Sequence, residues 1–405
     1  MLRLYDTLSR RKRPFRPLKG KTVRIYTCGP SVYEYSHIGN FRTYLFEDVL
    51  VRYLKFKGYS IFRVMNVTDV EDKAVEAARR QGVSIEKLVK EKCRTFFSDF
   101  GRLGMLRPDI IAKASDYVPQ MISLISRICM RGYCIPRKDG LYFNSRKFGR
   151  YGELRGLKSR RFLGAAHKDD YAREGVWDFR LWKKWTRGDG DVAWESPWGR
   201  GRPGWHIECS AISMHHLGES FDIHCGGVDN IFPHHENERA QCEAATGRRF
   251  VNFWLHCRHL TIGKRKMSKR TGNVLYVREL EGMGVPPEFL RFYLISERHQ
   301  NPLDFTMERF RDRVCACDGA KDTLKRLRTL RAGGDGKAGA RIAAGLLAGF
   351  ERAMDDDLNT KLALKRLFAV MGRVKELLRR GRLGGEDAKR IVRAAERVDA
   401  VLGIL

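Results

Sequence analysis

A chain of 405 residues exceeds what one hydrophobic core supports, since single cores stop growing near ~250–300 residues, so two to four domains are expected. No apolar run approaches the ~20 residues of a membrane span, and the N-terminus lacks the basic-then-apolar pattern of a signal peptide, which leaves a cytoplasmic protein as the expectation. A formal net charge of +30, from 78 Lys+Arg against 48 Asp+Glu, argues against an enzyme of small substrates alone and for a polyanionic partner, with a generally basic proteome as the bland alternative.

In chain order, strand-like runs (Val23 to Cys28, Ile61 to Val67) alternate with helix-like ones (Thr43 to Lys57, Asp72 to Gln81), the pattern of βαβ units on a parallel sheet. Turn-rich sequence dense in Arg, Gly and Trp follows from Gly132 to Arg202 and reads as an inserted domain. The α/β pattern resumes at Trp205. From Phe310 onward Leu, Ala, Arg and Lys recur at three- and four-residue spacing, broken at Arg331 to Gly336, which predicts a helical bundle with one flexible connection. Ten cysteines are scattered without a C-x-x-C motif, so free or buried thiols are expected rather than a disulfide framework.

Two short stretches carry most of the chemistry. His37-Ile38-Gly39-Asn40 follows a buried strand and opens a helix, where backbone N–H groups and the helix N-terminus meet a phosphate. Lys266-Met267-Ser268-Lys269-Arg270 is a loop between Gly263 and Gly272 whose two lysines can close over a polyphosphate; a basic loop is otherwise a solvated surface.

Together these stretches resemble the HIGH box and KMSKS loop of class I aminoacyl-tRNA synthetases. Further blocks narrow the likeness: Thr27 to Tyr33 (TCGPSVY), Asn66 to Lys73 (NVTDVEDK), Gly201 to Cys209 (GRPGWHIEC) and Phe232 to Glu238 (FPHHENE) all resemble the cysteinyl-tRNA synthetase family, and the likeness runs from Leu4 to the end of the chain. It implies an α/β fold in which a split Rossmann-like class I catalytic domain carries an inserted connective domain and is followed by an α-helical bundle. The expected division is 1–118 and 201–255 for the catalytic halves, 119–200 for the insertion, 256–309 for a stem-contact segment with the KMSKS-like loop, and 310–405 for the bundle. Met354 to Thr360 (MDDDLNT) resembles the family's helical-domain signature. Most relatives carry a small anticodon-recognition domain beyond that bundle, and a short form without it is expected here.

Cys28, Cys209, His234 and Glu238 are a candidate metal set. His234 and Glu238, four apart, share one face if helical, and two thiolates, an imidazole and a carboxylate suit tetrahedral zinc. Spacing alone leaves a solvated helix face equally open; the resemblance aligns the four with the family's zinc ligands. Cysteine and serine differ by one atom, and a pocket that works by shape separates such near-isosteres only ~10²-fold, whereas a soft metal selects by bond type.

By the same resemblance, Gly29, Thr68, Trp205 and His224 belong to the cysteine pocket, although a strand-end threonine, a core tryptophan and a core histidine are the plain readings of the last three. Gly226, Gly227 and Asp229 form a turn that can cradle adenosine and bond a ribose hydroxyl, a common pattern on its own. His37, Asn40, Lys266 and Lys269 are the expected catalytic and ATP-binding residues. Three positions depart from the family: Asn40 stands where many class I enzymes have a second histidine, Arg270 where the loop usually ends in serine, and Cys225 where a glycine is usual, so that its thiol lines the pocket or alters nucleotide packing.

The resemblance therefore implies ATP-dependent activation of L-cysteine and its transfer to tRNA(Cys), by a monomer with one Zn2+, using ATP with Mg2+. Two competitors remain. A ligase of the same fold that joins cysteine to an amino sugar keeps the zinc and the adenylate chemistry; the excess positive charge, Tyr33 to Ser36 before the box and Asn237-Glu238 weigh against it. A non-catalytic RNA-binding paralogue is disfavoured because every catalytic position holds a competent residue.

Overall fold

A computed structural model describes residues 1–156, 177–267, 272–331 and 333–405. Lys269 and Arg270 lie outside the described residues.

The chain opens with a hairpin, β1 (Arg3–Asp6) against β2 (Arg11–Pro14), so the first strand foreseen in the sequence is the third in the fold. That strand, β3 (Thr22–Thr27), leads into α1 (Ile38–Phe56), then β4 (Ser60–Val67), α2 (Asp72–Gln81), α3 (Ile85–Arg102) and β5 (Ile110–Lys113). α4 (Val118–Met130) follows. A four-stranded antiparallel sheet is then built from β6 (Cys134–Arg137), β7 (Gly140–Phe143), β8 (Phe179–Lys184) and β9 (Gly201–Pro203). Next come α5 (Trp205–Leu217), β10 (Phe221–Gly227), α6 (Glu236–Thr246) and β11 (Val251–Cys257).

β10 and β11 return to the first half, giving one five-stranded parallel sheet in the order β11-β10-β3-β4-β5. The chain leaves β3 toward β4 on one side and comes back as β10 on the other. This reversal opens a crevice at the carboxyl ends of β3 and β10, the place where open α/β sheets bind ligands. The strands read as near-continuous apolar runs because helices cover both faces. On one face α1 packs its buried side chains, including Phe41, Leu45, Val49 and Leu50; on the other, α4, α5 and α6 join a second core with Ile207, Ile212, Ala240 and Trp254.

Beyond the sheet, β12 (Leu260–Ile262), β13 (Arg265–Lys266) and β14 (Leu303–Phe305) form a small sheet, with α7 (Val277–Gly282) and α8 (Pro287–Ile295) between its second and third strands. Four helices close the fold: α9 (Met307–Thr329), α10 (Lys337–Met354), α11 (Thr360–Arg379) and α12 (Gly385–Leu402). They share the core of α1 and α8, with Phe350, Leu367, Ile391 and Val398 buried among Leu50, Tyr53 and Leu294. Among the described residues no helix is long and apolar enough to cross a membrane.

Cys129 and Cys134 form a disulfide between α4 and β6, and the other eight cysteines are free, so the chain has one local bridge and no disulfide framework. The reason is local, since the tight turn Arg131-Gly132-Tyr133 returns the chain on itself.

Candidate active site and metal centre

One cavity of about 450 Å³ lies at the crevice. Its walls include Cys28, Gly29, Thr68, Trp205, Cys209 and His234 at one end and His37, Asn40, Gly226, Gly227, Asp229 and Lys266 at the other. Fold topology thus brings together residues from six separate stretches of sequence.

At the nucleotide end the helix begins earlier than the apolar run suggested, with His37 itself as N-cap of α1. The His37 ring Nδ1 accepts from the Gly39 N–H at 3.1 Å, and the Asn40 side-chain oxygen accepts from the His37 N–H at 3.0 Å. This reciprocal pair is a capping box in which Asn serves where Glu or Gln is usual. Asn40 uses its oxygen to close the turn, so its amide N–H is the part left to donate. Gly39 is required for closeness, because a Cβ there would stand 2.9 Å from the His37 ring and 3.1 Å from Met267 Cε. The Ile38 N–H donates to Leu275 O at 3.0 Å, so the segment that follows the KMSKS-like loop is tied by its backbone to the first signature stretch.

Lys266 and Asp229 meet across the cavity, Nζ to Oδ2 at 2.7 Å, and His259 Nε2 stands 3.1 Å from the other carboxylate oxygen. Partial burial opposes ionisation, but the bonds from His259 and Lys266 hold Asp229 down at about 2. His259 is kept in place by Arg42, whose guanidinium donates to the His259 carbonyl at 2.9 Å and to Asn301 O at 2.5 Å.

At the other end, Gly29 follows the end of β3 so closely on β4 that a Cβ would lie 1.7 Å from the Asn66 carbonyl oxygen. Its N–H donates to Asn66 Oδ1 at 2.9 Å, and the Asn66 amide donates to Thr68 Oγ1 at 3.0 Å. Thr68 thus accepts from Asn66, and its hydroxyl also meets the buried Glu208 carboxylate. Trp205 stacks on His234 with ring centroids 4.3 Å apart.

The ligand atoms of Cys28, Cys209, His234 and Glu238 all lie within 4.8 Å of one another. His234 is not on α6, as spacing suggested, but in the turn before it; even so its Nε2 reaches Glu238 Oε1 at 3.1 Å. A second tetrad, Cys28, His224, His235 and Glu238, satisfies the same limit. The two differ in access, for Cys209 and His234 line the cavity whereas His224 and His235 are fully buried behind it.

His224, expected in the pocket wall, instead holds the outer oxygen of Glu238 at 2.9 Å and stacks on Trp254. Glu238 Oε1 is buried and, although His234 Nε2 stands 3.1 Å away, the contact lacks hydrogen-bond geometry; a carboxylate oxygen left so amid a thiol and an imidazole is what a cation would satisfy. The residues present therefore fit a tetrahedral ion with S, S, N and O donors.

Electrostatics agree with that donor set. Burial pushes the Cys28 thiol well up, and its hydrogen bond to Cys209 adds to the rise. Cys209 is buried too, yet hydrogen bonds with Cys28 and His234 bring it down to about 6. Burial opposes protonation of His234, and Glu238 and Cys209 outweigh it to raise the imidazole.

Several neighbours were not singled out as site residues from sequence. His206 Nδ1 lies 2.9 Å from His234 Nδ1, and His235 Nδ1 lies 2.8 Å from His256 Nε2, while His256 Nδ1 meets Thr7 Oγ1 at 2.7 Å. Burial holds His206, His235 and His256 below their ordinary range, so these rings are neutral hydrogen-bonding supports. Their density in the FPHHENE and GWHIEC blocks was the available signal. Cys225 is fully buried within β10 in the core and does not line the cavity, which removes it from the pocket wall.

Comparison with known proteins gives a consistent set of likenesses. Residues 14–314 match the family of tRNA synthetases class I (C) catalytic domain, and residues 349–405 match the DALR domain, so the bundle's end carries a recognised C-terminal domain. The cysteine–tRNA ligase of Protochlamydia amoebophila is 39% identical over 100% of this chain and 86% of its own length. That of Brachyspira hyodysenteriae is 40% identical over 98% and 85%, and that of Thermococcus onnurineus 40% over 93% and 80%. In fold, the chain resembles Mycobacterium tuberculosis methionyl-tRNA synthetase bound by methionyl-adenylate, with a TM-score of 0.70 at 15% identity over 95% of this chain and 92% of that one.

Proposed function

The chain belongs to the cysteine–tRNA ligase family of class I tRNA synthetases, and we propose from this that it activates L-cysteine with ATP and transfers the cysteinyl group to the 3′ end of tRNA(Cys). The observation that carries the reading is a cavity of about 450 Å³ lined both by the metal-competent Cys28, Cys209 and His234 and by the α1 N-terminus with Lys266, amino acid on one side and triphosphate on the other.

In the first step the cysteine carboxylate attacks the α-phosphorus of ATP and pyrophosphate leaves. Gly29, Thr68 and Trp205 orient the amino acid, and His224 acts through Glu238 rather than on the substrate. The Gly226-Gly227 turn and Asp229 take the adenosine. His37 and Asn40 at the α1 N-terminus, with Lys266 and Lys269, neutralise the charge that builds on the phosphates, while Mg2+ accompanies the nucleotide. Such catalysis is positioning and electrostatic stabilisation. In the second step a terminal ribose hydroxyl of tRNA attacks the acyl carbon and AMP leaves.

Cys28, Cys209, His234 and Glu238 are the residues that would hold zinc, which when bound offers the substrate thiol a soft acceptor and so separates cysteine from serine by bond type. The test is cysteine-dependent pyrophosphate exchange followed by labelled-cysteine transfer, with tRNA(Cys) or an amino sugar as acceptor. Exchange with cysteine and not serine, and label on tRNA, is expected. Label on the amino sugar and never on tRNA overturns the proposal.

A further inference from the structure

A separate cavity, of about 300 Å³, lies against the outer strand of the parallel sheet, β11, and is walled by the β1–β2 hairpin, by α6 and by the stretch that follows β7. Arg249 sits just before β11, so this cavity is at the amino end of the strand, whereas the reaction crevice opens at the carboxyl ends of β3 and β10. Five arginines line it: Arg11, Arg13, Arg150, Arg239 and Arg249. They face three carboxylates, Asp6, Glu153 and Glu243, which leaves two positive charges in excess before any ligand enters.

The carboxylates are all committed to the fold. Buried Asp6 accepts from the Trp254 N–H at 3.1 Å, the Ser9 N–H at 3.2 Å and Arg13 at 2.9 Å. Buried Glu243 accepts from Arg150 at 2.8 Å and from the Phe250 N–H at 3.3 Å, and Glu153 accepts from Arg239 at 2.7 Å. These bonds occupy two of the arginines, for Arg13 also donates to Asn252 and Arg239 also faces Glu236. The other three stay open. Arg11 is exposed and makes no ion pair among the described residues. Arg150 is 55% exposed and gives a single bond, to Glu243. Arg249 donates to the carbonyls of Val251 and Asn252, and its one carboxylate neighbour among the described residues, Asp6, is 4.0 Å away. Burial and the adjacent Arg13 guanidinium both push Arg249 below its ordinary range, so like charges are crowded here and an anion would relieve them.

We propose that this cavity binds a small di- or polyphosphate anion, held by Arg11, Arg150 and Arg249. A guanidinium fork matches phosphate oxygens two at a time, and a diphosphate among three forks offsets the positive charge that the carboxylates leave over. The volume of about 300 Å³ stands at the small end of ligand sites, with room for a diphosphate, free or on a nucleoside, and none for a nucleic-acid helix. The inference is independent of the ligase reading, because none of the three arginines lines the reaction cavity.

Calorimetric titration of inorganic pyrophosphate, at low salt and without divalent cations, into wild type and Arg11→Ala/Arg249→Ala tests this. The double variant should bind one pyrophosphate fewer per chain than wild type, or hold it about tenfold or more weakly, since two charge-assisted forks are gone. Lys266→Ala, a change in the reaction cavity, should leave that ion's affinity as it was. Uridine diphosphate as a second probe separates the sources: tighter binding than pyrophosphate, lost in the same double variant, assigns the site to a nucleotide, and weaker binding assigns it to the free anion. A cooperative thermal melt shows that the double variant is folded; if it does not fold, Arg11→Ala alone, at an exposed side chain, should weaken the same ion about threefold or more. Equal stoichiometry and affinity in wild type and variant overturn the proposal. Sulfate that competes as well as pyrophosphate overturns it too, as the sign of an adventitious ion only.

Discussion

Substituting the glycines that line the cavity tests the geometry of the site in a graded way. At Gly29 an alanine Cβ would lie 1.7 Å from the Asn66 carbonyl oxygen and 2.8 Å from its carbon, both backbone atoms in β4. Neither can rotate away, so the ends of β3 and β4 must part by more than 1 Å, on the order of the gap to ordinary van der Waals contact. Overpacking of this kind costs about 1–3 kcal/mol. Parting the strands also strands the Gly29 N–H, now bonded to Asn66 Oδ1 at 2.9 Å, at about another 1–3 kcal/mol. Gly29→Ala should therefore lower unfolding free energy by about 2–6 kcal/mol and, because Cys28 and Thr68 flank the displaced segment, abolish cysteine-dependent pyrophosphate exchange. Gly226→Ala should be intermediate, its Cβ meeting the His235 ring at 2.8 Å and the Asn230 side chain at 3.0 Å. Gly227→Ala, with its nearest atom Thr43 Oγ1 at 3.7 Å, should be near neutral in stability. Denaturant melts and exchange rates on the three variants give the order directly. Equal tolerance at Gly29 and Gly227 would refute the packing argument.

Other outcomes follow from the same structure. Cys209→Ala should take tightly bound metal well below one ion per chain by elemental analysis and remove cysteine activation; full exchange by metal-free protein would sink the metal assignment. Lys269→Ala should slow adenylate formation by about 10²-fold, the usual loss for one preorganised charge-stabilising donor, with kcat falling more than KM rises; an effect on KM alone reassigns the loop to ATP binding. Glu47 is raised by burial from 4.5 to about 8 despite its 3.0 Å pair with Arg63, so the folded protein holds a proton that the unfolded chain releases. Its contribution to stability is full below pH 4.5 and is lost as pH rises through 8. Glu47→Gln should flatten the stability profile between those limits, while Glu47→Ala, which removes the acceptor 3.0 Å from the buried Arg63 guanidinium, should cost about 1–3 kcal/mol; identical profiles for wild type and Glu47→Gln would show that Glu47 does not titrate there.

Local chemistry was legible in the sequence wherever a residue's partner lay close along the chain. His37 to Asn40 announced a helix start because the capping box closes within four residues. The βαβ alternation placed the parallel sheet because apolar runs and helix periods need no knowledge of their partners. What stayed hidden depends on residues far apart. The Asn66 side chain bonds Gly29 across 37 positions, and His235 meets His256 across 21. The reversal of strand order at β3 and β10, which makes the crevice, arises only when β10 returns after the insertion. His224 was assigned to the pocket by resemblance, with a core histidine as its plain reading, and strand alternation turns its ring behind Glu238.

The ion pair of Lys266 with Asp229 joins the two ends of the proposed nucleotide site. Both residues are proposed to serve the nucleotide, Asp229 at the ribose and Lys266 at the phosphates, and they lie 2.7 Å apart. Both are more than half exposed, so the pair is solvent-screened and easily parted. A phosphate that draws Lys266 away leaves Asp229 with His259 as its remaining partner, at 3.1 Å, on a backbone that Arg42 anchors to α1. Asp229 thus stays ionised and oriented while the lysine moves. The lysine that must travel ends a two-residue strand and is the first residue of the KMSKS-like loop, and the carboxylate that must stay is braced by a histidine just before the neighbouring strand. Mobility is placed on the phosphate side and rigidity on the adenosine side, which is the division that binding a flexible triphosphate to a fixed nucleoside requires.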